Sequence, residues 1–280
     1  MPTPSLPEEL LDYIVDFLNG DRVTLKCCSL ACKSWVPRAR RHLYDFVLFH
    51  APRKLQAWKT AFPDPSRSPA FYTRYLYVDC FQDVTAADGE EGGWIPTFSR
   101  VAYFWVEARE NSGSLISFTP FHGFSPALET LHITCTTIPS SSIFDLILSF
   151  PLLKNVAVLT YEGLTDAAGI FNDRPPTPPQ LRPSSPFAFT GCLELSIRVG
   201  MNPIASRFLS LLGCLHFQKL HLTLHKENDV LFAAALVESC CATLESLYLN
   251  CTPIGTCIRH SSLHYRTNLW LYQMGRSCQI

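Results

Sequence analysis

Cys251, Cys257, His260 and His264 gather two thiols and two imidazoles near the C-terminal end, the last three spaced C-x-x-H-x-x-x-H. Thiolate sulfur and imidazole nitrogen are ligands that tetrahedral zinc accepts. The flanking residues supply no supporting glycine or aromatic framework, so no metal ligand is assigned. Nine histidines and many serines are scattered along the chain without a G-x-S-x-G elbow or a matching base and acid, so hydrolase chemistry has little support. A G-x-x-x-x-G-K-[ST] phosphate loop is absent. Gly89, Gly92 and Gly93 sit among Asp88, Glu90 and Glu91, where a phosphate would be repelled. No catalytic residue and no cofactor is therefore expected. Arg38, Arg40, Arg41 and His42 form the one dense basic patch. It reads as the solvated face of a helix, with an acidic partner surface or nucleic acid as the alternative.

The elements that must position any site begin with helices. Ser5 can cap a helix whose third residue onward is Glu8, the two closing a capping box. Pro7 fits the first turn, where its missing N–H costs nothing. Leu10, Leu11, Ile14, Phe17 and Leu18 then recur at helical spacing as a wide apolar face. Asn19-Gly20-Asp21 breaks this helix, and Asp21 can cap the next, with Leu25, Cys28 and Cys32 as its stripe. Trp35 and Val36-Pro37 open a third helix to about Tyr44. Three short helices bury too little to stand alone: a buried Leu or Ile contributes only about 1.5–3 kcal/mol, against a comparable ordering cost. They must lean on the following domain or on a partner.

Composition narrows the rest. Charged residues are 17% of the 280 and the net charge is −1, which gives no general attraction to nucleic acid or anionic membrane. No apolar run reaches the roughly 18 residues of a transmembrane helix, and early acids replace the basic start of a secretory signal. Twelve cysteines in a chain of this size fit a reducing cytosol or nucleus better than a disulfide framework. Cys28, Cys32, Cys135, Cys192, Cys214 and Cys240 fall in apolar segments, as small buried hydrophobes do.

The first segment resembles the F-box, the adaptor-binding motif of SCF-type ubiquitin ligase receptors. The features that carry the likeness stand in order: Leu6-Pro7-x-Glu9, Ile14-Val15-x-x-Leu18, Leu25-x-x-Cys28-Ser29-Leu30 and Cys32-Lys33-x-Trp35. Ala31 stands where the family more often has Val. The resemblance implies an F-box over residues 4–45. It assigns Leu6, Pro7, Leu10, Ile14, Leu25, Leu30, Cys32 and Trp35 to binding a Skp-type adaptor or to holding the helices together.

A second signal follows. The pattern apolar-x-x-apolar-x-apolar recurs at Leu128/Leu131/Ile133, Leu153/Val156/Val158, Cys192/Leu195/Ile197, Phe217/Leu220/Leu222 and Leu244/Leu247/Leu249. Weaker copies precede it at Thr73/Leu76/Val78 and Phe98/Val101/Tyr103. Central residues step by 25, 30, 25, 39, 25 and 27, and removing the thirteen-residue Pro-rich insert 174–186 brings 39 to 26. The insert itself suits a loop or a polyproline ligand. Such a period predicts a solenoid of one strand plus a return segment per turn. Helical returns are expected over Ser142–Phe150, Ile204–Cys214 and Asp229–Cys241, the last capped by Asp229 and burying Phe232, Leu236, Val237 and Cys240.

These repeats resemble irregular leucine-rich repeats, and the whole chain is similar to F-box proteins with degenerate repeats of the kind abundant in mushroom-forming fungi. The expected fold class is α/β: a three-helix F-box, then an irregular leucine-rich-repeat-like solenoid over 46–254, with an atypical tail over 255–280. That tail region lacks Asp and Glu from Pro253 onward, so it is expected to be truncated or misread coding sequence. Strand alternation would turn one set of residues to a concave face: Tyr77 and Asp79, Ala102 and Phe104, His132 and Thr134, Ala157 and Leu159, Ser196 and Arg198, His221 and Thr223, Tyr248 and Asn250. Among them Tyr77, His132, Arg198, His221, Tyr248 and Asn250 carry chemistry apt for recognising a protein substrate, and an ordinary half-exposed sheet face is the alternative. The resemblance implies a cytoplasmic or nuclear substrate receptor, joined through the adaptor to a cullin scaffold. The alternative is an interaction scaffold without a ligase role.

Overall fold

The computed structural model describes residues 7–79, 93–108, 118–135, 140–160, 189–198, 202–211 and 215–251. Helix α1 (Glu8–Phe17) starts directly after Pro7, whose carbonyl accepts the amides of Leu10 and Leu11. Pro7 thus precedes the first turn instead of sitting within it, and the expected capping box rests on Ser5, outside the described residues. Gly20 closes the turn at φ 104°, a conformation that favours glycine. Asp21 caps α2 (Arg22–Ala31) as expected: Oδ1 accepts the amides of Val23 and Thr24 at 3.1 Å, and Oδ2 the Thr24 hydroxyl at 2.6 Å. Helix α3 (Val36–Tyr44) has Pro37 in its first turn and packs on both α1 and α2.

The shared core of these helices is small: Val15, Leu25, Cys28, Ala39 and Leu43, with Leu18, Trp35 and Tyr44 packed against it. Polar ties supplement it. Arg38 grips the Asp16 carboxylate with two donors, Nε to Oδ1 at 2.5 Å and Nη2 to Oδ2, while His42 Nε2 lies 2.7 Å from Oδ1. Arg22 Nη2 donates to the Leu43 carbonyl at 3.1 Å. Cys32, expected as a buried hydrophobe, ends outside α2 and is exposed, its sulfur 3.0 Å from the Ser34 hydroxyl.

The rest of the chain is α/β. Eight strands form one parallel sheet in strict chain order: β1 (Phe46–Phe49), β2 (Tyr75–Asp79), β3 (Tyr103–Ala108), β4 (Thr130–Cys135), β5 (Asn155–Thr160), β6 (Cys192–Ile197), β7 (Lys219–Leu224) and β8 (Ser246–Cys251). Among the described residues four further α-helices lie between them: α4 (Pro52–Ala61), α5 (Ser140–Leu148), α6 (Asn202–Ser210) and α7 (Asp229–Cys240). The last three fall within two residues of where the apolar periodicity starts them. Asp229, expected to cap α7, is instead its first residue, with Asn228 at the N-cap position making no side-chain cap bond; its Oδ2 accepts the amides of His225 and Lys226, upstream of the helix, at 2.9 and 2.8 Å. None of the described helices is long and apolar enough to cross a membrane.

Register makes the period tighter than the sequence suggested. Val47, Leu76, Phe104, Leu131, Val156, Leu193, Leu220 and Leu247 align across the sheet, stepping by 29, 28, 27, 25, 37, 27 and 27. Strand β1, absent from the expected pattern, joins this alignment through Val47. Two frames are corrected. In β3 the inward residues are Phe104 and Val106, both fully buried, so Ala102 and Phe104 do not line the other face. In β6 Leu193, not Leu195, aligns with Val156.

A recurrent hydrogen bond sets this spacing. The carbonyl just before each strand accepts two successive amides at the start of the next: Asp45 from Arg74 and Tyr75, Arg74 from Ala102 and Tyr103, Ala102 from Glu129 and Thr130, Glu129 from Lys154 and Asn155. At the long step the pattern changes hands. Lys154 carbonyl takes only the Gly191 amide, and the Asn155 side chain accepts the Cys192 amide at 2.9 Å. A Cβ on Gly191 would stand 2.3 Å from Asn155 Oδ1 and 2.8 Å from the Lys154 carbonyl oxygen, so this position must be glycine. One continuous core then runs under the sheet, with phenylalanines between repeats: Phe104 stacks on Phe121 at 5.1 Å and Phe189 on Phe217 at 5.5 Å.

Candidate functional site

Two surfaces carry unspent chemistry. The first is on α1 and α2. Leu10, Tyr13, Ile14 and Phe17 follow one another at i, i+3, i+4 and i+7, and all are exposed, Phe17 by 83%. On α2, Val23 and Leu30 are exposed by 72% and 87%, with exposed Cys27 between them on the same stripe. Large apolar side chains in water at this density mark an interaction surface more than a monomer's skin.

Burial now divides the residues expected to bind an adaptor. Leu25 is 1% exposed and Trp35 packs on the helical core, so both hold the helices together. Pro7, Leu10, Ile14, Leu30 and Cys32 face outward, and Leu6 lies outside the described residues. Tyr13, Phe17 and Val23 join the outward set; Phe17 stood in the helical stripe already, whereas Tyr13 and Val23 were missed.

The second surface is the sheet face opposite the core. Register lines up Leu48, Tyr77, Trp105, His132, Ala157, Glu194, His221 and Tyr248 in one row. Four of the six expected substrate residues therefore share it. Asn250 belongs to the neighbouring row with Glu107 and Thr134, and Arg198 follows the end of β6 as an exposed residue. The row is structured. Tyr77 donates to Glu107 Oε2 at 2.5 Å and meets Trp105 edge-on at 5.0 Å. Trp105 stacks flat on His132, centroids 4.4 Å apart, and its Nε1 donates to Thr134 Oγ1 at 3.3 Å. His221 meets Tyr248 at 5.8 Å.

His132 Nε2 is buried with no hydrogen-bond partner. Burial pushes its imidazole pKa down, with Glu194 and Glu107 acting the other way. Burial, then Glu194, pushes the Tyr103 phenol up. Trp105, Glu107 and Glu194 were not among the expected residues. In Tyr103–Ala108 both alternating sets carry large aromatic residues, so the pattern could not choose a face. Glu194 shares the face of Ser196 and Arg198 and could have been read from the alternation.

The remaining chemistry is thin. Among the described residues no group of His, Cys, Asp and Glu could hold a metal ion. Cys251 is exposed at the end of β8, and Cys257, His260 and His264 lie outside the described residues, as do the Pro-rich insert 174–186 and the tail 255–280. Of the basic patch, Arg38 and His42 are engaged with Asp16. Compared with family models, curated proteins and solved structures, the chain gives no match.

Proposed function

We propose that this chain is a non-enzymatic substrate receptor of an SCF-type ubiquitin ligase, its first three helices acting as an F-box. The observation that carries the reading is the exposed apolar stripe on α1 and α2 above a core of five buried residues. So small a core leaves the helices underfed with buried area, and a partner that covers Phe17 and Leu30 would supply what is missing. The outward residues include five that the resemblance assigns to the adaptor. Behind them, eight parallel strands in chain order, at steps of 25–29 apart from one of 37, support reading this part as a leucine-rich-repeat-like solenoid, with the Tyr77–Tyr248 row offered to the target. Chemistry would belong to the recruited conjugating machinery, this chain contributing proximity.

The test is adaptor capture. Purified full-length chain should form a complex with a Skp-type adaptor at micromolar concentration, and Phe17→Ser with Leu30→Ser should abolish it while circular dichroism stays unchanged. Equal capture by the folded double variant would end the proposal. Substrate-dependent ubiquitin transfer in a reconstituted ligase then separates a receptor from a scaffold that only shares the adaptor.

A further inference from the structure

Among the described residues strand β1 is an edge: it pairs with β2 alone. In that pairing the Asp45 carbonyl accepts from Tyr75, and Phe46 is the register partner of Tyr75. Parallel ladders turn the peptide groups of successive residues to opposite sides. Asp45, Val47 and Phe49 therefore face β2, while Phe46 and Leu48 turn their amides and carbonyls outward. Among the described residues, no backbone group from another element bonds to either.

A cleft of about 620 Å³ opens along this edge, walled by α2, α3 and α4. That is within the span of about 300–1,000 Å³ typical of ligand clefts. Each wall contributes a cation: Lys26 from α2, Arg40 from α3 and Lys54 from α4. None of these three side chains makes an ion pair or hydrogen bond among the described residues. No Asp or Glu lines the cleft. Trp58, also lining it, keeps its indole Nε1–H buried without an acceptor among the described residues. Cations beside a free edge discourage pairing with a second copy of the same chain, which would bring the same charges. The same cations favour a strand of opposite sign, so the charge works as a selector.

We propose that the β1 edge accepts an extended acidic segment of a protein partner as an added strand. Phe46 and Leu48 would supply the peptide hydrogen bonds, and Lys26, Arg40 and Lys54 would pair with carboxylates on the segment. The site does not depend on adaptor docking. On α2 the cleft residues Arg22, Lys26 and Ser29 lie about a quarter-turn from the Val23–Leu30 stripe, so both surfaces can be filled together.

Fluorescence anisotropy of the full chain with a labelled eight-residue peptide alternating Glu and Val tests this. Saturable binding is expected, at least tenfold weaker for Lys26→Glu with Lys54→Glu. Leu48→Pro should weaken it by a similar factor, because proline at an outward-facing edge position removes one free amide without costing a sheet bond. The same peptide N-methylated at alternate residues keeps its charges but cannot pair as a strand, and should bind wild-type chain at least tenfold more weakly. That arm needs no variant to fold. Equal binding of the methylated peptide, indifference to the double charge reversal, no saturable binding up to millimolar peptide, or tighter binding of a single-stranded oligonucleotide than of the peptide would each overturn the proposal. Phe17→Ser with Leu30→Ser should leave the peptide affinity unchanged, so failure here and failure of adaptor docking are read separately.

Discussion

Leu25→Ala and Leu30→Ser remove side chains of the same size from the same helix and should have opposite consequences. Leu25 is 1% exposed in a core of five buried residues. Three lost carbons at about 0.8 kcal/mol each give roughly 2.4 kcal/mol, and the cavity left behind raises Leu→Ala deletions to about 2–5 kcal/mol. Leu30 is 87% exposed, so folding withdraws only 13% of its surface from water. Scaled to that fraction, its loss costs about 0.3 kcal/mol. The helical core and the sheet core share no buried residue, so the larger loss should stay local. Native-state hydrogen exchange reads this directly. At about 3 kcal/mol, Leu25→Ala should lower protection across α1–α3 by roughly a hundredfold, leaving β4–β7 as they were. Leu30→Ser should leave both sets unchanged while adaptor capture falls. If Leu25→Ala lowers protection in β4–β7 by the same factor, the two cores act as one and the separation argued here is wrong. If Leu30→Ser unfolds α2, the stripe is structural and not a docking surface.

Gly191→Ala should destabilise the chain by about 1–3 kcal/mol in urea titration, since its Cβ would meet Asn155 Oδ1 at 2.3 Å; a neutral result would contradict the tight crossing at the long step. Burial pushes the Cys135 thiol up to about 12, whereas the Ser34 hydroxyl pulls the exposed Cys32 thiol down. Iodoacetamide at pH 8 should therefore modify Cys32 well before Cys135, as timed by mass spectrometry, and the reverse order would be inconsistent with either environment. Burial disfavours the charged form of His132, so its folded pKa lies below the unfolded value of about 6.5. Its contribution is intact above that value and is lost as pH falls from there through the folded pKa, because the unfolded chain takes the proton first. His132→Phe should shrink the difference in unfolding free energy between pH 7.5 and pH 5.5, and an unchanged difference would place the pH dependence elsewhere.

Much of this was legible because the signals are local. Asp21 announces α2 through its own carboxylate, whereas Asp229, which marks the start of α7 correctly, spends its carboxylate on the turn before it. The return helices follow from 3.6-residue periodicity, β4, β7 and β8 from inward residues two apart between mostly polar ones, and β5 from Val156 and Val158 at the same spacing. Where the sequence misled, a non-local cause intervened. In Tyr103–Ala108 aromatic residues occupy both faces, and only pairing with β2 and β4 decides that Phe104 goes in. In β6 the frame slipped by two because Cys192 imitates an apolar repeat position, although its amide is bound by Asn155 and its neighbour Leu193 takes the register. Strand β1 is four residues long directly after a helix, too short to show alternation. The engagement of Arg38 and His42 by Asp16 spans 22 and 26 residues and leaves no mark in either segment alone.

The join between helices and sheet ties these observations together. Tyr44, at the end of α3, meets Trp58 edge-on at 5.8 Å and Phe62 at 6.1 Å, and Trp58 in turn meets Phe49 at 5.7 Å. One aromatic cluster thus carries the helical unit onto the core side of β1. With α3 anchored there and α4 folded back beside it, no ninth strand of this chain pairs with the outer edge of β1 among the described residues, and the walls bring Arg40 and Lys54 toward that edge. The cleft is therefore a consequence of how the three helices lean on the sheet. Loosening the lean should open both: Tyr44→Ala would weaken the α3 anchor and the cleft together, yet leave the Trp105–His132 row, several strands away, undisturbed.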